Sequence, residues 1–213
     1  MNEEKKDGII QKITEWIKEN YIKVLTVFLL ISFLFAALFL WSSYQEQKSQ
    51  EASIIYNQFG IAINKSDNDL TEALKIKTNF ERNYPDQVYL DLMNMQLAKI
   101  YISIGNLTEA INFLKEANNS LESKGSDVYF IRDLSRIRLS LLLISQEEFE
   151  EAKEILNKNF SFYEPLKYEF LGDLEKDLQS PSAAKEHFEK ALSLTQSEAH
   201  KDILNVKISS LTE

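Results

Sequence analysis

The chain of 213 residues contains no cysteine, five glycines, three prolines and two histidines. Without cysteine it forms no disulfide and offers no attachment site for the lipid of a lipoprotein. Because glycine and proline interrupt helices, their scarcity favours an all-α protein. His187 and His200 have no partner ligand at metal-site spacing, and no phosphate loop or nucleophile elbow occurs. The sequence therefore predicts a non-enzymatic protein with no catalytic residue, metal or cofactor.

Positive charge is also scarce, since 24 Lys and Arg face 33 Asp and Glu, for a net charge of −9. The first 23 residues hold five lysines and five acidic residues, so the whole negative excess lies later in the chain. An acidic surface repels phosphate backbones. We therefore expect no nucleic-acid partner.

One stretch, residues 24–41, carries no charge at all. As a helix these 18 residues would be about 27 Å long, near the thickness of the hydrocarbon core of a lipid bilayer. Aromatic residues flank the stretch at Tyr21, Trp41 and Tyr44, where the headgroup regions would lie. A cleaved signal peptide is the alternative, but its apolar core would be shorter and would end at a small-residue cleavage site. We interpret residues 24–41 as a transmembrane helix.

Lysines near the two ends of this helix predict its orientation. Five precede it, whereas Lys48 alone lies within about 20 residues after it. We therefore expect residues 1–23 to be a cytoplasmic amphipathic tail, which either lies on the lipid surface or extends the membrane helix. Residues 42–51 would form a helical stalk, and residues 52–213 a domain in the periplasm of a bacterium.

Residues 52–213 contain four degenerate copies of a helix–turn–helix pattern typical of tetratricopeptide repeats. Their equivalent small residues are Ala73, Ala110, Ala152 and Ala184, at separations of 37, 42 and 32 residues. Small residues let paired helices approach closely, and Gly105 would serve one of the turns.

The ends of the repeats carry further signals. Asp69, Asn106 and Ser180 occupy equivalent places before the second helix of a pair, where N-caps are expected. Residues 198–211 would cover the last repeat as a capping helix. The predicted fold is therefore a single N-terminal transmembrane helix followed by a tetratricopeptide-like α-solenoid with a C-terminal capping helix.

The first helix of each tetratricopeptide pair lines a concave face. In the second and third repeats this register predicts a candidate partner-binding groove, formed by Leu92, Met95, Lys99, Ile102, Leu134, Ile137, Leu141 and Ile144. The fourth repeat has Leu166, Glu169, Asp173 and Lys176 at these positions, so we expect a groove that is apolar in its middle and charged at one end. Two interpretations stay open, namely a hydrophobic surface for a chaperone segment or a core that neighbouring helices cover.

Short motifs follow one another in a specific order along the chain. They are Trp41 and Tyr44 at the end of the apolar stretch, Ala52, Ser53 and Tyr56 at the start of the domain, and Val206 to Leu211 near its close. In these features the chain resembles the YfgM-like family of ancillary SecYEG translocon subunits of Gram-negative bacteria.

The resemblance implies an inner-membrane protein without catalytic activity. Its partners would be the SecYEG translocon and the membrane-anchored periplasmic chaperone PpiD, and it would help newly translocated chains pass to other chaperones. The alternative is a structural scaffold of the cell envelope that uses the same repeat surface in division or envelope assembly.

Overall fold

The computed structural model describes residues 15–65 and 69–211, and within these ranges it contains helices and no strand. The predicted all-α fold is confirmed. The helices are α1 (Tyr21–Lys65), α2 (Thr71–Asn83), α3 (Val88–Ser103), α4 (Leu107–Glu122), α5 (Tyr129–Ser145), α6 (Phe149–Leu156), α7 (Glu164–Asp177), α8 (Pro181–Leu194) and α9 (Glu198–Ser209), with a short 3₁₀ helix at Ser126–Val128.

The chain divides into two compact units, Met1–Glu51 and Ala52–Glu213. In the first unit, α1 is long and apolar enough to cross a membrane, and its apolar stretch is unburied. Phe33, for example, is 75% exposed, as a lipid-facing side chain would be. Of the predicted tail, residues 15–19 are helical, Asn20 lies in a turn and residues 21–23 begin α1, whereas residues 1–14 lie outside the described residues.

The second unit begins inside α1, which runs on to Lys65. The predicted stalk, residues 42–51, and the first residues of the repeat domain therefore belong to one continuous helix. Residues 52–65 nevertheless pack as a repeat helix, because Ala52 and Phe59 are fully buried and the ring of Tyr56 lies 5.2 Å from that of Tyr89 on α3.

The turn between the paired helices recurs with the same backbone geometry in three repeats. In each, one residue adopts a positive φ, namely Gly105 (79°), Glu147 (60°) and Gln179 (58°). The next residue donates its N–H to the carbonyl five positions earlier, at 2.8–2.9 Å in every case. This pattern is a Schellman-type helix ending. The three turns keep the 42- and 32-residue spacing of the equivalent alanines, so the sequence register of the repeats is preserved in three dimensions.

Close helix packing within the repeats depends on small buried residues. Ala98, Ser140 and Gly172 occupy equivalent places in α3, α5 and α7, and all three are buried. A Cβ atom on Gly172 would lie 2.5 Å from the ring of Phe188 on α8. Glycine at this position therefore permits the contact between α7 and α8.

The three predicted N-caps have different outcomes. Asn106 is the N-cap of α4, and its side chain accepts a hydrogen bond from the backbone N–H of Glu109. Ser180 is the N-cap of α8, but its side chain makes no capping hydrogen bond. Asp69 lies one residue too early, since α2 begins at Thr71 after Leu70, and its carboxylate accepts from the N–H of Thr71 at 3.0 Å.

Helix α9 packs against α8 at the C-terminal end of the solenoid, as the capping prediction requires. Its Leu204 is fully buried, and Ile208 and Leu211 pack around the same cluster. However, Ile203 and Val206 are 51% and 69% exposed. Only one stripe of the helix therefore covers the last repeat.

Candidate partner-binding groove

Helices α3 and α5 both pack against α4 and leave a groove between their facing sides, which we call the α3–α5 groove. Met95, Ala98, Lys99 and Ile102 line it from α3, and Arg138, Leu141, Leu142 and Ser145 line it from α5. Leu114 of α4 also contributes to the lining, and the cavity volume is about 390 Å³. The four lining residues of α3 follow the i, i+3, i+4, i+7 spacing of one helix face, and so do the four of α5. The groove is therefore about 10 Å long.

The structure brings together four of the eight residues predicted for this surface, Met95, Lys99, Ile102 and Leu141. Ile137 is instead buried in an apolar cluster with Leu156 and Leu171, and Ile144 packs against that cluster. Leu134 packs against the main core, and Leu92 is half-buried away from the groove lining. For Ile137, Ile144 and Leu134 the covered-core interpretation fits, because they face the protein's own helices.

The lining residues differ in how accessible they are. Met95 is 3% exposed, whereas Ile102 and Leu141 on opposite sides are 44% and 41% exposed. Exposed apolar side chains beside a cavity are typical of a binding surface rather than a closed core. The α3–α5 groove thus has a buried floor and an open apolar rim.

Lys99 and Arg138 are the charged residues of the lining. Both are exposed, and neither side chain has a hydrogen bond or ion pair with another described residue. Leu114, Ala98 and Leu142 contribute only apolar surface, and the hydroxyl of Ser145 donates to the carbonyl of Leu142 at 2.7 Å. The surface is therefore apolar with two cationic side chains.

The expected charged end of the groove is absent at Glu169 and Asp173, because α9 covers them. Lys207 of α9 contacts Glu169 at 2.8 Å and Asp173 at 2.5 Å. His200, also on α9, lies 2.7 Å from a carboxylate oxygen of Glu169. We call these four residues the C-terminal clamp. Burial raises the pKa of Glu169, but hydrogen bonds from Lys207 and His200 outweigh it and hold the pKa below its ordinary value.

A second buried polar network fixes the loop between α6 and α7. Asp133 on α5 is fully buried, and one of its carboxylate oxygens accepts from the backbone N–H groups of Ser161 and Phe162 at 2.7 and 2.8 Å. Its other oxygen accepts from Arg132 and Arg136 at 3.2 and 3.1 Å. Sequence reasoning missed this network because its partners lie about 28 residues apart.

The two histidines have structural surroundings that the sequence did not reveal. We interpret His200 as part of the C-terminal clamp. His187 is half-buried and stacks on Tyr168 with ring centroids 6.2 Å apart, and burial lowers its pKa. Among the described residues, no group of three or more His, Asp or Glu side chains is arranged to hold a metal ion.

Comparison with known proteins relates this architecture to a family. A family model described as a tetratricopeptide repeat-like domain matches residues 14–213. The chain belongs to this family. It is also similar to a protein of Buchnera aphidicola subsp. Acyrthosiphon pisum (strain APS) named "Ancillary SecYEG translocon subunit", with 28% identity over 203 residues. The aligned region covers 92% of this chain and 96% of that protein.

Members of a repeat family share a scaffold, and a specific function resides in the surface that each member presents. In this member of the tetratricopeptide repeat-like family, the α3–α5 groove is the candidate for such a surface. The match to the family also includes the long apolar helix, which fits a single-pass membrane protein.

Proposed function

We propose that this protein is a non-enzymatic ancillary subunit of the Sec translocon in the bacterial inner membrane. Residues 24–41 would anchor it, with the N-terminus in the cytoplasm and residues 52–213 in the periplasm. One observation carries the proposal. The likeness to the ancillary SecYEG translocon subunit extends over 92% of this chain and 96% of that protein, and therefore includes both the anchor and the repeats.

The repeat domain would contact a membrane-anchored periplasmic chaperone of the PpiD type and help newly translocated proteins reach other chaperones. The α3–α5 groove is our candidate for this contact. Its support is the pair of exposed apolar residues, Ile102 and Leu141, beside a cavity of about 390 Å³.

Photo-crosslinking from the apolar helix tests the translocon assignment. A photoreactive amino acid at Phe33 should capture SecY or a direct neighbour of SecY. Phe39 lies about 120° around the helix from Phe33 and gives a matched comparison at similar exposure. Capture from one of these faces indicates a specific helix contact. Capture of a division or envelope-assembly protein, with no translocon component, would support the scaffold alternative.

Thiol labelling tests the orientation, and the chain contains no native cysteine to interfere. Cysteine at Ser126, an exposed residue of the repeat domain, should react with an impermeant reagent added from the periplasmic side. Cysteine at Asn2 should react only after the membrane is permeabilised. The reverse result would refute the proposed topology.

Paired substitutions test the groove. Ile102→Glu with Leu141→Glu should abolish chaperone crosslinking while the protein keeps its melting temperature, because both side chains are exposed at the rim of the groove. Ile104→Glu with Leu178→Glu is the matched control, since these residues are 44% and 38% exposed and lie outside the groove lining. Equal loss in both double variants would exclude a specific role for the groove. Met95→Glu is unsuitable for this test because it would bury a charge.

A further inference from the structure

Lys99 and Arg138 are exposed cations that lie beside the apolar residues of the α3–α5 groove. Residues 52–213 carry 18 basic and 26 acidic side chains, a net charge of −8. Many of the basic side chains are paired, such as Lys77 with Glu116, Lys115 with Glu151 and Lys153 with Glu175. Lys99 and Arg138 are not paired with any described residue, although the domain has an excess of carboxylates. The α3–α5 groove is thus a locally cationic surface on an acidic domain.

The two cations lie on opposite sides of the groove. Lys99 extends from α3 between Met95 and Ile102, and Arg138 extends from α5 one turn before Leu141. In the repeat register, which places residues of α3 and α5 42 positions apart, Arg138 corresponds to Gln96. The cations are therefore offset by three residues, or about 4.5 Å along the helices. A segment lying in the groove would have apolar surface beneath it and a cation on each side.

We propose that the occupant of this groove is a short amphipathic peptide segment of a partner protein, in which carboxylates flank the apolar side chains. The proposal rests on the function proposed above and specifies the chemistry of the partner. An amphipathic helix binds a groove through side chains at i, i+3, i+4 and i+7, which matches the stripes of α3 and α5. Asp or Glu beside those side chains would pair with Lys99 and Arg138, and complementary charge selects among apolar segments.

The same charge distribution disfavours a second copy of this domain as the occupant. Two domains of net charge −8 repel each other at long range. Self-association through the groove would therefore require that an acidic and apolar segment of the second copy enter it. An anionic lipid combines apolar and acidic groups, as the proposed peptide does, so an experiment has to distinguish the two ligands. The groove favours a peptide because its lining consists of two helix faces with matched two-turn stripes.

Binding of designed peptides to the full-length protein in nanodiscs of neutral lipid tests the proposal. The probe is a fluorescent helical peptide with leucines at i, i+3, i+4 and i+7 and flanking glutamates, and the comparison peptide has lysines in place of the glutamates. The glutamate peptide should bind about tenfold more tightly at low salt, and the difference should shrink as salt is added. Fluorescence anisotropy measures both affinities.

Substitutions then assign the preference to the two cations. Lys99→Gln with Arg138→Gln should bring the two peptides to similar affinity without lowering the melting temperature. Lys75→Gln with Arg82→Gln is the matched control, because it removes one exposed lysine and one exposed arginine from α2, outside the groove. The control should retain the preference for the glutamate peptide.

Several outcomes would overturn the proposal. These are binding of neither peptide, equal binding of both, a preference that survives Lys99→Gln with Arg138→Gln, and a concentration-dependent dimer that this double variant dissolves. Tighter binding of a short-chain anionic phospholipid than of the glutamate peptide would assign the groove to lipid. None of these outcomes changes SecY crosslinking from Phe33, so a failure here is distinct from a failure of the translocon assignment.

Discussion

The α3–α5 groove and the C-terminal clamp lie at equivalent positions of the repeat scaffold. The clamp positions are covered by α9, whereas the groove has an exposed rim. Glu169 and Asp173 stand two repeats after Met95 and Lys99, yet α9 covers them through Lys207 and His200. In the groove, Lys99 has no such partner and Ile102 is 44% exposed. The concave positions of a short solenoid are therefore not all available to partners. Those of its last repeat contact the capping helix, and the earlier ones line the α3–α5 groove, which is our proposed binding surface.

The largest expected effect is a difference in stability between two charge-removing substitutions on α5, one at the buried Asp133 and one at Arg138 in the groove. Asp133→Ala would remove the carboxylate that Arg132 and Arg136 share, leaving Arg136 with Glu122 as its only carboxylate partner and two backbone N–H groups of the α6–α7 loop without an acceptor. We expect a loss of about 3 to 5 kcal/mol in the free energy of unfolding, measured by thermal or urea unfolding of the full-length protein in detergent. Arg138→Ala, on the same helix, should change it by less than about 0.5 kcal/mol. Similar losses in both variants would contradict the distinction.

The next effect concerns the small residue that each repeat places between its paired helices. Gly172→Ala would place a methyl group against the ring of Phe188, where a Cβ meets it at 2.5 Å. We expect a cost on the order of 1 to 3 kcal/mol from overpacking. The second repeat already has alanine there, at Ala98, with Leu114 in the place of Phe188. Phe188→Leu should therefore lessen the cost of Gly172→Ala in a double-mutant cycle, and additive effects would show that this contact is not the cause.

The C-terminal clamp should make the stability of the last repeat depend on pH. The folded pKa of Glu169 lies below its ordinary value of 4.5, so its stabilising contribution is complete above pH 4.5 and is lost as the pH falls through the lowered folded pKa. Glu169→Gln should cost about 1 to 2 kcal/mol at neutral pH. The difference from wild type should shrink on acidification, as measured by urea unfolding across that range. A pH-independent difference would rule out the charged clamp.

The smallest expected effect distinguishes the three equivalent turns. Glu147 and Gln179 adopt the left-handed conformation that Gly105 adopts without steric cost. Glu147→Gly and Gln179→Gly should each stabilise the protein by about 0.5 to 1 kcal/mol. Gly105→Ala should destabilise it. Melting temperatures of the three variants give the test, and destabilisation by both glycine substitutions would show that their side chains make contacts outweighing the backbone strain.

Sequence reasoning named four of the nine residues that line the α3–α5 groove. The register placed Met95, Lys99, Ile102 and Leu141 on one surface because the helical period fixes which residues share a face. It could not separate them from Ile137 and Ile144, which share that face but turn toward α7 and its cluster. It also missed Arg138, since a charged residue beside apolar positions is usually a solvated one.

The sequence by itself determined the helical class, the one long apolar helix, the repeat register and the capping helix. These follow from local composition and period, which act over a few turns of chain. Only the tertiary structure decided which concave positions stay open, because that depends on where distant helices end. Lys207 forms an ion pair with Glu169, 38 residues earlier in the chain. No described residue forms an ion pair with Lys99 or Arg138. Contacts of this kind depend on how the repeats stack, and no local pattern encodes them.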